Sequence, residues 1–330
     1  MKIALVSYYS RNYGALLQGF ALQEVLQSMG HEVIAVNRGW KDYGNLVWDF
    51  NYSIFDRLKH FLIPSPFDDF VRKHIRISKV IHSNQDLVSL SQNVDVVIAG
   101  SDQIWNVETE AYMGHYFFLD WVAAGTGKYS YAASFGKDTY NANEKEICRL
   151  QTLLRTFNGV SVRETSGIDI CRSLFSIEAE VHLDPTLLLP ADRYRSMIAI
   201  KQIDSNYLCS YILDYSMEIN NIIRLLSANL NVHTVYNNTQ KARFRQQLFD
   251  KTKRMPTVYQ WLANIANAKY VITDSFHGTV FSVIFHKQFI CINNRERGSA
   301  RFESLLDMLK LQDRLIDIHT ANLDYIMKLK

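Results

Sequence analysis

Short apolar runs alternate with helical spacing at the start of the chain. Residues 2–8, KIALVSY, form an apolar run rich in strand formers, and apolar positions between Leu22 and Met29 then recur at spacings of three, four and seven. Gly30 is typical of the residue that follows a helix end, and residues 31–36, HEVIAV, predict the next strand. A strand, a helix and a strand over this distance predict a βαβ unit, and hence a parallel sheet covered by helices.

The same alternation continues along the chain and indicates an α/β fold throughout. Helices are predicted at 143–157 and, with an amphipathic pattern, at 299–310. The further predicted strands carry the segments DVVIAG, KYSYAAS, GVSVRE and AEVHL in the first half, and NYLCSYIL, NVHTVYN, KYVITDS and QFICIN in the second. No internal repeat of fixed period interrupts this alternation in the sequence.

The length of 330 residues exceeds what a single core usually supports, so two domains are predicted. We place them at 1–190 and 191–330, since prolines punctuate the chain near 190. The expected architecture is two parallel-sheet, Rossmann-like domains facing each other across a cleft, as in the GT-B arrangement of glycosyltransferases. The active site is then expected between the domains, with the acceptor on the N-terminal side and the donor anion on the C-terminal side.

Residues 40–70 interrupt the pattern with a high density of aromatic side chains and two prolines. One interpretation is a packed helical insertion in the N-terminal domain. The alternative is that some of these rings form a lid over the substrate or a platform for a sugar, because large flat side chains suit both uses.

Composition narrows the range of partners. A net charge of +3 is too small for a general nucleic-acid binder, although it is compatible with a local basic pocket. The four cysteines contain no CxxC pair, which predicts buried free thiols in a reducing compartment. The sequence shows no leader and no long apolar span, so we expect a cytoplasmic protein with peripheral membrane contact at most.

The segment ITDSFHG places polar residues at the junction between an apolar strand and an apolar helix. The start of such a helix offers unpaired N–H groups and the positive end of its dipole, which suit a phosphate. Gly278 is expected to let a ligand approach the backbone, while Ser275, Thr279 and His277 supply donors. The alternative is a helix cap at Asp274 or Ser275 beside a surface histidine.

Other strand ends carry further candidates. Asp102 in GSDQIWN is placed for general acid or base chemistry, with a helix cap at Ser101 or Asp102 as the alternative. Arg163 in SVRE suits recognition of a carboxylate or phosphate, and an ion pair with Glu164 or a neighbour is its alternative.

The loop NRERGSARF gathers arginines after the last predicted strand, as a solvated face or as the lining of an anion pocket. No GxGxxG, GxxxxGK[ST], HExxH or GxSxG motif occurs in the sequence. The histidines lack metal-ligand spacing, so neither a metal nor a nucleotide cofactor is expected.

Several segments occur together and in order: NYGALLQGFALQEVLQSMGHEV, VIAGSDQIWN, YAASFG, SVRE, LDPTLLL, ITDSFHG and NRERGSARFESLL. This series resembles the polysaccharide pyruvyl transferase family over nearly the whole chain. Members of the family are similar to GT-B enzymes, and they move the enolpyruvyl carbons of phosphoenolpyruvate onto sugar hydroxyls, usually as a cyclic pyruvate ketal. The resemblance therefore implies phosphoenolpyruvate as donor and a sugar of a surface polysaccharide or its precursor, free or lipid-linked, as acceptor.

The resemblance also implies roles for single residues. It assigns acid/base chemistry to Asp102 and the donor's charge to His277 and Arg163. Many members carry Arg-Leu-His-Gly where this chain has Ser275-Phe276-His277-Gly278, so a cation must come from elsewhere. The candidates for that cation are Arg295, Arg297 and Arg301, and the candidates for the acceptor side are Asn12 and Tyr13 of the first loop.

Two further functions remain open on the sequence. One is a GT-B glycosyltransferase that uses a nucleotide sugar, in which the same helix start binds a diphosphate. The other is a non-catalytic protein that binds a glycan or phosphate. An acid, a histidine and an arginine at three separate strand ends argue against the second.

Overall fold

The computed structural model describes residues 1–39, 61–198, 205–238, 250, 254–293, 298–318 and 325–326. The chain divides into two compact units. The first contains Met1–Asp49, Val71–Leu189 and Glu296–Leu305, and the second contains Phe50–Phe70, Pro190–Arg295 and Leu306–Lys330. Each unit contains segments from both halves of the chain, whereas the predicted domains 1–190 and 191–330 are continuous. The predicted domain boundary stays a prediction.

A parallel sheet forms the centre of the first unit. Its strands are β1 at Lys2–Val6, β2 at Glu32–Ala35, β3 at Val96–Ala99 and β4 at Gly127–Ser130. Their order is β2-β1-β3-β4, with every pair parallel. A second parallel pair, β5 at Ser161–Val162 and β6 at Glu180–Val181, continues from the β4 side through the bridges Tyr129–Gly159 and Ala133–Val162.

Helices accompany these strands in the alternation that the sequence predicts. They are α1 at Tyr13–Ser28, α2 at Asp68–His74, α3 at Asn84–Ser91, α4 at Val107–Met113, α5 at Glu144–Leu154 and α6 at Thr165–Phe175. Short 3₁₀ turns follow at Gly114–Phe118 and Pro185–Leu188. The predicted helix at 143–157 is confirmed as α5, whereas the sequence analysis did not predict α6.

Large aromatic side chains fill the core of the first unit. Trp105 is fully buried, stacks on Phe118 with ring centroids 5.3 Å apart, and donates its indole N–H to the carbonyl of Phe117. Phe135 lies on the other side of the same cluster, 5.5 Å from Trp105. Because this packing holds the segment after β3 in place, Trp105 has a structural role.

The second unit contains a five-stranded parallel sheet in the order β11-β10-β9-β7-β8. Its strands are β7 at Tyr207–Tyr211, β8 at His233–Tyr236, β9 at Tyr270–Thr273, β10 at Gln288–Ile292 and β11 at Leu315–Ile316. Its described helices are α7 at Ala191–Arg195, α8 at Met217–Asn229, α9 at Val258–Ala266, α10 at Phe276–Ile284 and α11 at Ala300–Met308, the last of which begins in the first unit. The four predicted strands of this half are confirmed as β7 to β10; β11 was not predicted.

Of the aromatic segment predicted as an insertion at 40–70, residues 40–60 lie outside the described part of the chain. The described remainder packs into the second unit. Phe67 and Phe70 are buried, and the ring of Phe70 lies 5.9 Å from that of Tyr259. Packing therefore explains these two rings, whereas Phe61 is 82% exposed.

The four cysteines are free, and three of them are buried as predicted, but Cys148 is exposed. Burial raises the pKa of the Cys171 thiol to about 12, with the charge of Glu164 adding to the effect. Among the described helices, none combines the length and the apolar character needed to span a membrane.

Candidate functional site

Polar side chains converge where four parallel strands of the first unit end. Ser101 and Asp102 follow β3, Ser134 follows β4, Arg163 and Glu164 follow β5, and Asp184 follows β6. The carboxyl ends of parallel strands share one edge of a sheet, which is where open α/β sheets carry ligands. The structure therefore brings Asp102 and Arg163 together, and it adds Asp184 and Glu164 to them.

Asp102 has an unusual backbone conformation. Its φ is 83°, a region that side chains other than glycine rarely occupy, and its carbonyl accepts hydrogen bonds from the N–H groups of Ile104 at 2.7 Å and Ser134 at 2.9 Å. The side chain is 19% exposed, and its Oδ1 accepts from the N–H of Gln103 at 2.9 Å. The side chain that accepts from an N–H group of the following helix is that of Asn106, which binds the N–H of Glu108. Helix capping therefore does not explain the position of Asp102.

Arg163 lies behind Asp102 and is buried, with 2% of its side chain exposed. Its Nη2 is 3.8 Å from Asp102 Oδ1, and its Nη1 donates to Asp184 Oδ2 at 2.9 Å. The predicted ion-pair alternative is therefore correct in kind, but the partner is Asp184 and not Glu164. A side chain so covered is poorly placed to bind a donor substrate directly, and it instead fixes a positive charge beside Asp102.

Asp184 is the fully buried end of this pair. Besides the bond from Arg163, its Oδ2 accepts from the hydroxyl of Ser101 at 3.3 Å. Its Oδ1 accepts from the N–H of Thr186 at 3.0 Å and from the Thr186 hydroxyl at 2.6 Å. This aspartate lies in the segment LDPTLLL, for which no role in the site was predicted. The sequence feature that marks Asp184 is a carboxylate directly after the predicted strand AEVHL and before Pro185 and Thr186.

Glu164 organises the loop after β4. Its Oε1 accepts from the Ser134 hydroxyl at 2.9 Å and from the N–H groups of Phe135 at 2.8 Å and Gly136 at 3.1 Å. Ser134 is the residue whose N–H binds the Asp102 carbonyl, so Glu164 helps to hold the unusual conformation of Asp102. A glutamate with 1% exposure and these partners has a structural use.

The segment that begins at Gly298 packs beside Asp102. The Gln103 amide oxygen faces Arg301 and accepts hydrogen bonds from Arg301 Nη1 at 2.7 Å, Nη2 at 2.8 Å and Nε at 3.2 Å. A Cβ at Gly298, whose φ is 87°, would lie 2.0 Å from the Gly136 carbonyl oxygen, so only glycine fits there. Arg301 is 8% exposed and belongs to the first unit, where it holds the residue next to Asp102.

In the second unit, the predicted strand-to-helix junction is present. Ser275 is the N-cap of α10, and its hydroxyl accepts from the N–H of Gly278 at 3.4 Å. His277 is 8% exposed, and its ring meets Phe276 edge-on at 5.3 Å. The capping alternative is therefore correct for Ser275, whereas His277 is covered rather than a surface histidine.

Gly278 and Thr279 have structural roles in the second unit. A Cβ at Gly278 would lie 2.2 Å from Thr273 Oγ1 and 3.0 Å from a ring carbon of Tyr211, so the glycine is required by packing against β9 and β7. Thr279 is fully buried, and its hydroxyl donates to the Ser275 carbonyl at 3.2 Å. Packing and an internal hydrogen bond thus account for both residues in the structure, and their use in ligand binding stays a prediction.

Asp274 ties two strand ends of the second unit together. Its carboxylate accepts from the N–H groups of Leu213 at 2.7 Å and Asp214 at 2.9 Å, just after β7. This clamp positions the start of α10 relative to the neighbouring strand. The sequence singled out the aspartate only as a possible cap.

The predicted acceptor residues of the first loop have structural roles. Asn12 caps α1, since its Oδ1 accepts from the N–H of Ala15 at 3.2 Å, and its side chain is exposed. Tyr13 is only 2% exposed and forms part of the core. Arg295, the remaining predicted binding residue, and Arg297 lie outside the described residues.

Comparison with known families gives a match over most of the chain. The sequence profile described as polysaccharide pyruvyl transferase matches residues 12–296, a range that contains Asp102, Arg163, Asp184 and His277. No match is found among curated proteins.

Comparison with solved structures concerns the fold. The S. aureus MnaA–UDP structure has a TM-score of 0.52 at 13% identity, covering 99% of this chain and 86% of that one. Arabidopsis thaliana UGT89C1 complexed with UDP-L-rhamnose gives 0.50 at 9%, covering 99% and 88%. An α-glucosyltransferase with UDP and a DNA 13-mer gives 0.50 at 10%, covering 91% and 81%. The fold is thus GT-B-like, an α/β fold with two Rossmann-like parallel-sheet units.

Proposed function

The chain belongs to the polysaccharide pyruvyl transferase family, and we propose that it transfers the enolpyruvyl group of phosphoenolpyruvate to sugar hydroxyls of a surface polysaccharide precursor, closing a pyruvate ketal. Membership makes it a transferase. The donor, the ketal and the sugar acceptor are the proposal. The observation that carries it is the partly exposed Asp102, held at a positive φ beside the buried Arg163.

We assign the acid/base step to Asp102. Its carboxyl protonates the methylene carbon of phosphoenolpyruvate, which gives an oxocarbenium-like centre, and an acceptor hydroxyl adds to that centre while losing its proton. A second hydroxyl of the same sugar then replaces phosphate and closes the ketal. The products are the ketal and inorganic phosphate, so no oxidant or reductant is needed.

The phosphate is assigned to the start of α10 in the second unit. The positive end of the helix dipole favours an anion there, and the His277 ring is an added donor. Because phosphate leaves as an anion, donors that hold it throughout the reaction lower the barrier to its departure. Ser275 contributes through the cap that shapes this helix start, in place of the arginine that many relatives carry.

The direct test is mass analysis of glycan acceptors incubated with the protein and phosphoenolpyruvate. We expect an acceptor to gain a pyruvate unit less one water, with phosphate released in equal amount. Thermal-shift screening supplies the comparison, because a ligand that binds the folded state raises its stability. Stabilisation by a nucleotide sugar, with none by phosphoenolpyruvate, would favour a GT-B glycosyltransferase instead; stabilisation by phosphate without turnover would favour a non-catalytic binding protein.

Arg301 offers a prediction that separates positioning from donor binding. Arg301→Met removes the hydrogen bonds from Arg301 to the Gln103 amide oxygen. Because this contact orients Asp102, we expect kcat to fall about tenfold while the KM for phosphoenolpyruvate stays unchanged. Gln103→Leu removes the other side of the same contact and should give the same change. Steady-state kinetics of both variants measure this.

The double variant is the control for this contact. If Arg301 acts through Gln103, the two losses are not additive and the double variant resembles either single one. A large rise in the KM for phosphoenolpyruvate in Arg301→Met, with Gln103→Leu unaffected, would instead identify Arg301 as the cation that replaces the arginine missing at Ser275.

A further inference from the structure

One face of the first unit's sheet carries an open groove of about 600 Å³ across β4, β5 and β6. Tyr129 forms part of its floor and is 39% exposed. The ring of Tyr129 lies against Gly159, its partner in an isolated β-bridge just before β5, where a Cβ would be only 3.1 Å from the ring. The absence of a side chain at Gly159 leaves room for the tyrosine ring, which remains accessible.

A second ring pair lines the same groove. The rings of Tyr131 and His182 are 5.4 Å apart and inclined by 34°. His182 Nε2 lies 3.1 Å from Glu180 Oε2, and both side chains are substantially exposed. Glu178 completes the polar side of the groove, where it also meets Arg172 at 3.6 Å. Flat rings beside carboxylates match the two needs of a sugar, which presents C–H faces to rings and hydroxyl donors to oxygen acceptors.

The charges in the groove select against an anion. Its titratable lining groups are the carboxylates of Glu178 and Glu180, the His182 imidazole and the tyrosine hydroxyls; among the described residues that line it, none is a lysine or arginine. Phosphoenolpyruvate and nucleotide diphosphates are strongly negative and gain nothing from such a surface. A neutral, polyhydroxylated ligand is not repelled by these carboxylates.

The groove also adjoins the candidate site. His182, whose ring lies beside that of Tyr131, is two residues before Asp184 in the segment that follows β6. Burial raises the pKa of the Tyr131 hydroxyl to about 12, and the negative charge of Asp184 adds to this shift. Asp184 binds Arg163, and Arg163 in turn lies beside Asp102. The groove thus lies on the strands β4, β5 and β6, whose carboxyl ends carry residues of the candidate site.

We propose that this groove, lined by Tyr129, Tyr131, Glu180 and His182, binds the neutral saccharide acceptor. The assignment rests on the proposed function, and it replaces Asn12 and Tyr13 as the acceptor side. Stacking on Tyr129 supplies contact area, while Glu180 orients the sugar by accepting from its hydroxyls.

The test uses methyl hexopyranosides of glucose, galactose and mannose, and their N-acetylated counterparts, as probes of the full chain. Saturation-transfer NMR without phosphoenolpyruvate is expected to show binding of at least one probe. Tyr129→Ala and Glu180→Gln should each weaken that binding about tenfold, which corresponds to about 1.4 kcal/mol of lost contact. In turnover assays the same variants should raise the acceptor KM about tenfold and leave the KM for phosphoenolpyruvate unchanged.

Tyr236→Ala is the matched control, since Tyr236 is an exposed tyrosine of the second unit, 51% exposed, and lies outside the groove. It should bind the probes as the unmodified chain does. Absence of binding by every probe, or equal binding by Tyr129→Ala and Glu180→Gln, overturns the groove assignment. Binding through the groove without any pyruvyl transfer would leave the groove in place and refute the proposed function instead.

Discussion

Asp102→Asn is expected to lower kcat for pyruvyl transfer by about 10²–10⁴-fold, the usual contribution of a positioned acid or base. The substitution removes the proton-transferring group and little else. Asparagine tolerates a positive φ better than most residues, so the conformation at 83° is retained, and its amide oxygen still accepts from the N–H of Gln103. Coupled phosphate release and mass analysis of the acceptor measure the loss.

Two controls distinguish a loss of proton transfer from unfolding and from weaker binding of phosphoenolpyruvate. The unfolding temperature of Asp102→Asn should stay close to that of the unmodified chain, and phosphoenolpyruvate should stabilise both proteins equally. His277→Ala should show the opposite pattern, with weaker stabilisation by phosphoenolpyruvate, because it removes a group assigned to the donor. Full transfer activity in Asp102→Asn and His277→Ala would refute the residue assignments.

The α/β alternation was readable from the sequence because it depends on local periodicity. Apolar runs such as residues 2–8 and 288–292 are typical of strands in a covered parallel sheet, and the structure confirms them as β1 and β10. The short strand β11 carries a weak pattern, and its pairing with β10 decides it. Helix α6 has an amphipathic pattern comparable to that of α5, and the prediction missed it. Likewise, Gly298 meets the Gly136 carbonyl across more than a hundred residues of sequence, and no local pattern reports such a contact.

Strand ends identified where the site lies, but not how its residues pair. Arg163 follows a strand in the sequence, and nothing local shows that Asp184 rather than Glu164 neutralises it. The same holds for Thr279, whose hydroxyl pointed to a ligand until burial showed it bonded to Ser275. Which side chains become partners depends on the spatial order of strands β3, β4, β5 and β6, and local sequence patterns do not report that order.

Asp184→Ala is expected to cost about 3–5 kcal/mol of stability, since removing one partner of a buried ion pair leaves the other charge undercompensated. Here the remaining charge is Arg163, with 2% of its side chain exposed, and its contact with Asp102 is longer, at 3.8 Å. The substitution also removes Oδ1 of Asp184, which accepts from both the N–H and the hydroxyl of Thr186. Urea unfolding, followed by circular dichroism and tryptophan fluorescence, measures the loss.

A pair of variants separates the ion pair from cavity effects in this result. Arg163→Met with Asp184→Leu replaces both charges by apolar groups of similar size, so the double variant should be more stable than Asp184→Ala despite carrying more changes. It should nevertheless be poorly active, because Asp102 has lost the positive charge beside it. If Asp184→Ala unfolds like the unmodified chain, the pair does not hold the edge of the sheet together. If the double variant keeps full activity, Arg163 does not support Asp102, and the acid/base assignment loses its main electrostatic argument.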